Sequence, residues 1–153
     1  MKTYVTKTGY EKLVEELRYL TTVEQTRASE MLAEARDKGD LSENAEYEAA
    51  KEFQENLAKK IKRVSDSIKN AEIVYSDPNS DKVGMVSTVK ILNHTIGKEQ
   101  TWSLVSENEV DTKVGKISFN SPIGSALIGN KVGDFVEVKI PSGSLKLEIL
   151  EIR

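Results

Sequence analysis

The sequence predicts an α+β chain: an N-terminal antiparallel two-helix coiled coil, then a small antiparallel-sheet domain with one short helix. Three observations predict it. No Gly or Pro interrupts Tyr10–Lys38 or Asp40–Asp77, so two long helical runs meet at one break. In the second run Ala50, Leu57, Val64 and Ala71 recur every seven residues, the spacing of a coiled-coil seam. After Pro78 the period changes to two, as a half-buried strand requires.

The first helix is expected from Thr8 to about Lys38. Thr8 and Glu11 have the T-x-x-E spacing of a capping box. Leu13, Leu17, Leu20, Met31 and Ala35 supply its apolar seam, with Glu24 and Arg27 interrupting the middle. The second helix is expected from about Ser42 to about Tyr75, with Ile61 and Ile68 as a second row beside Gln54 and Tyr75. Residues 1–75 thus form the hairpin and 76–82 a polar linker ended by Pro78, with 83–153 as the second domain. In that domain strands are expected near Val83–Leu92, Gln100–Val105 and Lys116–Phe119. Val136–Ile140 and Leu145–Ile149 alternate around the turn Pro141-Ser142-Gly143, which makes a β-hairpin. Pro122–Ile128 reads as the short helix, with Ser121 as N-cap and Pro at the first position.

Composition narrows the function. Among 153 residues, 31% are charged and 38% hydrophobic, which fits a solvated, elongated part joined to a modest core. Residues 1–75 carry 13 Lys+Arg against 15 Asp+Glu, and 76–153 carry 9 against 10. Neither part is a basic nucleic-acid binder by bulk charge. The absence of Cys excludes disulfides, thiol catalysis and zinc-finger sites. The N-terminus lacks the apolar core of a signal peptide, and no run approaches the ~20 apolar residues of a membrane span. A soluble, cytoplasmic monomer is expected. His94, the single histidine, falls in a turn without partner ligands, and Trp102 falls on a strand, as a core residue would.

The break itself reads Gly39-Asp40-Leu41-Ser42-Glu43-Asn44-Ala45-Glu46-Tyr47. Asp40 and Glu43 have two readings. One is a D-x-x-E capping box opening the second helix. The other is a pair of oxygen ligands for Mg²⁺, which is commonly held by one or two carboxylates together with waters and phosphate oxygens. Ser42 can cap the helix and leave both acids free. Carboxylates at the end of a long hairpin can be delivered into another protein's active site.

The tip GDLSENAEY, preceded by Glu34-Ala35-Arg36 and followed by EAAKE, resembles the tip of bacterial transcript cleavage factors of the Gre family, closest to the GreA type. The stretch Ile117–Asp134, ISFNSPIGSALIGNKVGD, is similar to that family's second signature. The likeness covers essentially the whole chain. It implies an N-terminal coiled coil and an FKBP-like second domain that docks on RNA polymerase at the rim of its secondary channel. The coiled coil would enter that channel and stimulate hydrolysis of the 3′ part of a backtracked transcript. On this likeness Asp40 and Glu43 are the catalytic acids and share Mg²⁺ with the polymerase active site, no cofactor being held by the isolated chain. Ser121, Pro122 and Ile123 fall on the polymerase-docking loop. Arg36 and Lys51, the basic residues nearest the tip, are the candidates for contact with the RNA 3′ end. The sparse basic face at Lys59, Lys62 and Arg63 suits the GreA preference for short cleavage products. The chain would be an accessory factor, not an enzyme. Two competing readings are an inhibitory homologue, which a denser acidic tip would favour, and a prolyl isomerase, for which Trp102, Phe119 and Phe135 are too few aromatic residues.

Overall fold

The computed structural model describes residues 2–39, 44–77 and 79–153. The chain divides into a helical unit, Glu11–Ala71, and a sheet unit built from Lys2–Tyr10 and Glu72–Arg153. The sheet unit therefore claims the first residues, which open with strand β1 (Thr3–Val5). Helix α1 (Lys7–Tyr19) follows, one residue before the expected start at Thr8. Its cap is Thr6, whose Oγ1 accepts from Gly9 N–H at 2.9 Å. The same hydroxyl donates to the buried Glu109 carboxylate, which also accepts from Ser106 Oγ at 3.1 Å. A partner far along the chain thus selects Thr6 over Thr8.

The expected first helix is not one α-helix. A π-helical turn (Leu20–Glu24) separates α1 from α2 (Gln25–Asp37). Gln25 N–H bonds Leu20 C=O, five residues back. Thr21 Oγ1 and Thr22 Oγ1 donate to the carbonyls of Leu17 and Arg18 at 2.9 and 2.6 Å. The turn resolves the irregular seam. Leu13, Leu20, Ala28 and Ala35 are the buried positions, spaced seven, eight and seven. The extra residue of a π turn absorbs the eight and keeps both halves facing α3 (Ala45–Lys69). Ala50, Leu57 and Val64 are buried on α3, as the heptads predict. Arg27 lies over the Phe53 ring, 5.5 Å from its centroid.

α3 stops at Lys69, six residues short of the expected Tyr75. Ala71–Ile73 forms strand β2, which pairs with β1 in a two-stranded sheet. Val74 N–H continues the ladder to Val5 C=O at 2.8 Å. Ala71, expected at the seam, is therefore a strand residue. Heptad spacing is blind to this, because the pairing partner lies at the other end of the sequence.

The main sheet contains β3 (Thr88–Asn93), β4 (Lys98–Val105), β5 (Lys116–Ser118), β6 (Phe135–Ile140) and β7 (Gly143–Ile152) in the order β5-β4-β3-β7-β6. Pairing is antiparallel except at the edge, where β5 joins β4 in parallel with Leu104 opposite Ile117. The β6–β7 hairpin turns at Pro141-Ser142, pairing Ile140 with Gly143 as its alternation predicts. The strand expected from Val83 begins at Thr88; Val83 is nevertheless core, with its N–H bonded to Asn130 C=O at 2.9 Å. The core gathers Val89, Ile91, Leu104, Phe119, Leu127, Leu147 and Ile149, each worth about 1.5–3 kcal/mol on burial. Trp102 packs against it. Helix α4 (Pro122–Leu127) covers this core, capped as expected by Ser121. Among the described residues no helix is long and apolar enough to cross a membrane.

Candidate functional site

The two helices of the hairpin are brought together at their tip by a small set of polar contacts. α2 ends at Asp37, and Lys38 N–H bonds back to Ala35 C=O at 3.3 Å. Gly39 follows with φ +114°, a left-handed conformation that a Cβ would strain even though nothing among the described residues lies within 4 Å of it. Asp40, Leu41, Ser42 and Glu43 lie outside the described residues, so the two expected catalytic acids and the expected cap Ser42 carry no structural description.

The chain resumes at Asn44, and Asn44 caps α3. Its Oδ1 accepts from Glu46 N–H at 3.0 Å and Tyr47 N–H at 3.2 Å. Its Nδ2 donates to Ala35 C=O at 2.7 Å, across the hairpin. Lys38 Nζ meets Glu46 Oε2 at 2.7 Å beside it. Hydrogen bonding to Glu46 holds the Lys38 ammonium charged beyond the ordinary lysine range. Both side chains are mostly exposed, so this pair orients more than it stabilises. Glu46 and Glu48 sit in the first turn of α3, where the helix dipole favours anions. Sequence reasoning missed Asn44. Its residue type, one position before Ala45, was a usable cap signal; its bond to Ala35 was not readable from spacing.

Arg36 lies in the last turn of α2 and Lys51 in the second turn of α3; both are exposed. Lys59, Lys62 and Arg63 are exposed farther along α3, and Lys62 pairs with Asp66 at 3.7 Å. His94 is a surface residue, bonded through Nε2 to Glu148 at 2.9 Å. Among the described residues no group of three or more His, Cys, Asp or Glu side chains is placed to hold a metal.

The second candidate region is the turn into α4. Ser121 Oγ accepts from Gly124 N–H at 3.1 Å and donates to Ser118 C=O at 2.6 Å. Pro122 is exposed, whereas Ile123 is half-buried and packs on the core. Gly124 is required by contact: a Cβ there would stand 2.3 Å from Ser118 C=O and 3.1 Å from Phe119 Cα. The turn is therefore preformed, with Pro122 as its outward-facing member.

Both parts of the chain match known families. Residues 3–73 match the N-terminal domain of transcription elongation factors, and 77–153 the C-terminal domain of GreA/GreB elongation factors. The transcription elongation factor GreA of Christiangramia forsetii is 49% identical over 150 residues, covering 97% of this chain and 95% of that protein. GreA of Flavobacterium psychrophilum is also 49% identical, with the same coverage. Among solved structures, the GreA factor homolog 1 protein of Thermus thermophilus is 27% identical, covers 100% of this chain and 99% of its own, and has a TM-score of 0.45. The family models and the GreA relatives run through both units in one order, which places this chain in the GreA/GreB family of transcription elongation factors.

Proposed function

We propose that this chain binds bacterial RNA polymerase in the elongation complex, inserts its hairpin in the secondary channel, and stimulates cleavage of the 3′ end of backtracked RNA. The observation that supports this reading best is the motif Gly39–Tyr47, at the point where α2 and α3 are tied together. Asp40 and Glu43 are the acids offered to the polymerase. Their oxygens suit Mg²⁺, but two carboxylates are too few for a cage of this ion. The polymerase's own acids and the RNA phosphate complete the ligand set, so the factor is an accessory protein and not a catalyst alone. Bound there, Mg²⁺ supplies charge neutralisation and a water of lowered pKa. Arg36 and Lys51, exposed near the tip, meet transcript phosphates. The Ser121–Ile123 turn docks on the polymerase, with Pro122 presenting the accessible surface.

The test is a stalled, backtracked elongation complex with Mg²⁺. Addition of the protein should shorten the RNA to a form that can be re-extended. Asp40→Ala with Glu43→Ala should abolish that shortening while leaving competition with wild type for polymerase intact. Wild-type cleavage by the double variant would overturn the assignment.

A further inference from the structure

We infer that the groove beside the π turn takes the guanidinium of an arginine side chain from a protein partner, with Arg27 as its internal placeholder. The site lies wholly within the helical unit. Where the first arm passes through the π turn, the two arms leave a groove of about 490 Å³ between them. Its lining combines the buried seam residues Leu20 and Leu57 with the rings of Tyr19 and Phe53. Glu16, Glu24 and Lys60 supply its charges. An apolar lining with a few convergent polar groups, at roughly 300–1,000 Å³, is the usual form of a binding site. π turns within α-helices also recur at functional sites.

Glu24 sets the charge of the occupant. Its side chain is 15% exposed, so the carboxylate is largely withdrawn from water. Among the described residues its hydrogen bond comes from a neutral donor, the Tyr19 hydroxyl, at 2.9 Å. Arg27 Nη1 stands 3.9 Å from the same oxygen, too far for a hydrogen bond. A carboxylate so placed gains from a charged donor at full contact. Arg27 also shows which cation fits, because its guanidinium lies over the Phe53 ring while its side chain stays mostly exposed. With Arg27 turned out to solvent, Glu16 and Glu24 face a single ammonium, Lys60, and an arriving arginine restores the balance. A planar guanidinium can stack on the ring and fork onto the carboxylate, which an ammonium cannot. The surroundings make the source a protein. Tyr19, on the groove, and Val23, in the π turn, are the large apolar side chains that the described helical unit leaves exposed. A free guanidine would leave them uncovered, whereas a partner chain covers them with the residues beside its arginine.

The test titrates N-acetyl-arginine amide into the full chain, followed by NMR at the methyl groups of Leu20 and Leu57, with N-acetyl-lysine amide as control. Arg27→Ala should lower the half-saturating arginine concentration about threefold to tenfold, and Glu24→Gln should raise it by as much. Phe53→Leu keeps the groove apolar without the ring and should erase the preference for arginine over lysine. A second arm reads the half-saturating factor concentration on the backtracked elongation complex, and so rests on the function proposed above. There Arg27→Ala should bind more tightly than wild type and Glu24→Gln more weakly. Absence of a saturable shift in both wild type and Arg27→Ala would overturn the site. So would effects of Arg27→Ala and Glu24→Gln that run in the same direction. Probe binding that responds to the variants, with no response on the elongation complex, would overturn a partner's arginine as the occupant. Failure of the wild-type protein to stimulate cleavage would instead overturn the proposed function, and the probe titration alone would then decide the site.

Discussion

Single atoms decide more here than residue type suggests. Ser121 was legible as a cap because its signals are local: a hydroxyl, then Pro at the first helical position. Thr6 was not, and of Asn44 only the local cap was, because each also answers to a partner outside the reach of spacing. Thr6 answers to Glu109, 103 residues away, and Asn44 to Ala35. Gly124 is a third case, in which what matters is the atom a side chain would add. Gly124→Ala should cost about 1–3 kcal/mol in urea unfolding, since its Cβ must displace backbone at Ser118. Ser125→Ala, on the exposed side of the same helix, should stay within about 0.5 kcal/mol. Equal stability of Gly124→Ala and wild type would show that the turn yields where the contact distance says it cannot.

Elements were legible wherever their period was undisturbed. The α3 seam appears as expected at Ala50, Leu57 and Val64, though not at Ala71, and the β6–β7 alternation appears as expected. The first arm is irregular because a small buried residue, Ala28, stands where the seven-residue count fails, while Val23 nearby is 53% exposed. Only the π turn makes sense of both. Deleting Thr22 should restore seven-residue spacing from Leu20 to the next buried alanine. Such a variant should fold with a thermal midpoint at or above wild type, its arm shorter by ~1.5 Å. Deleting the exposed Ala58 should instead rotate the following turns of α3 by about 100°, turn Val64 out of the seam, and cost at least ~3 kcal/mol. If the two deletions were equally damaging, the π turn would not be a phase correction.

For the whole molecule, the sequence announced a hairpin followed by a sheet, in that order along the chain. Both are present, but the boundary is not a single point. Lys2–Tyr10 belongs with Glu72–Arg153 because β1 pairs with β2 and Thr6 bonds Glu109. Three-residue strands without Gly or Pro around them leave no mark on periodicity, so this link could not be read. It has a topological consequence. The helical unit is an excursion: the chain leaves the sheet unit at Tyr10 and comes back at Glu72. A cut at the far end of such an excursion frees neither side. The piece ending at Gly39 keeps β1, the α1 cap and half of the seam; the piece beginning at Asn44 keeps everything they bind. Co-expressed as separate chains split within residues 40–43, the two pieces should co-purify in equal amounts and elute together on gel filtration, and their separation would refute this. The protein would then be a natural host for split-chain reconstitution, with its signal-bearing end open to replacement by any peptide that can bridge the same two helices.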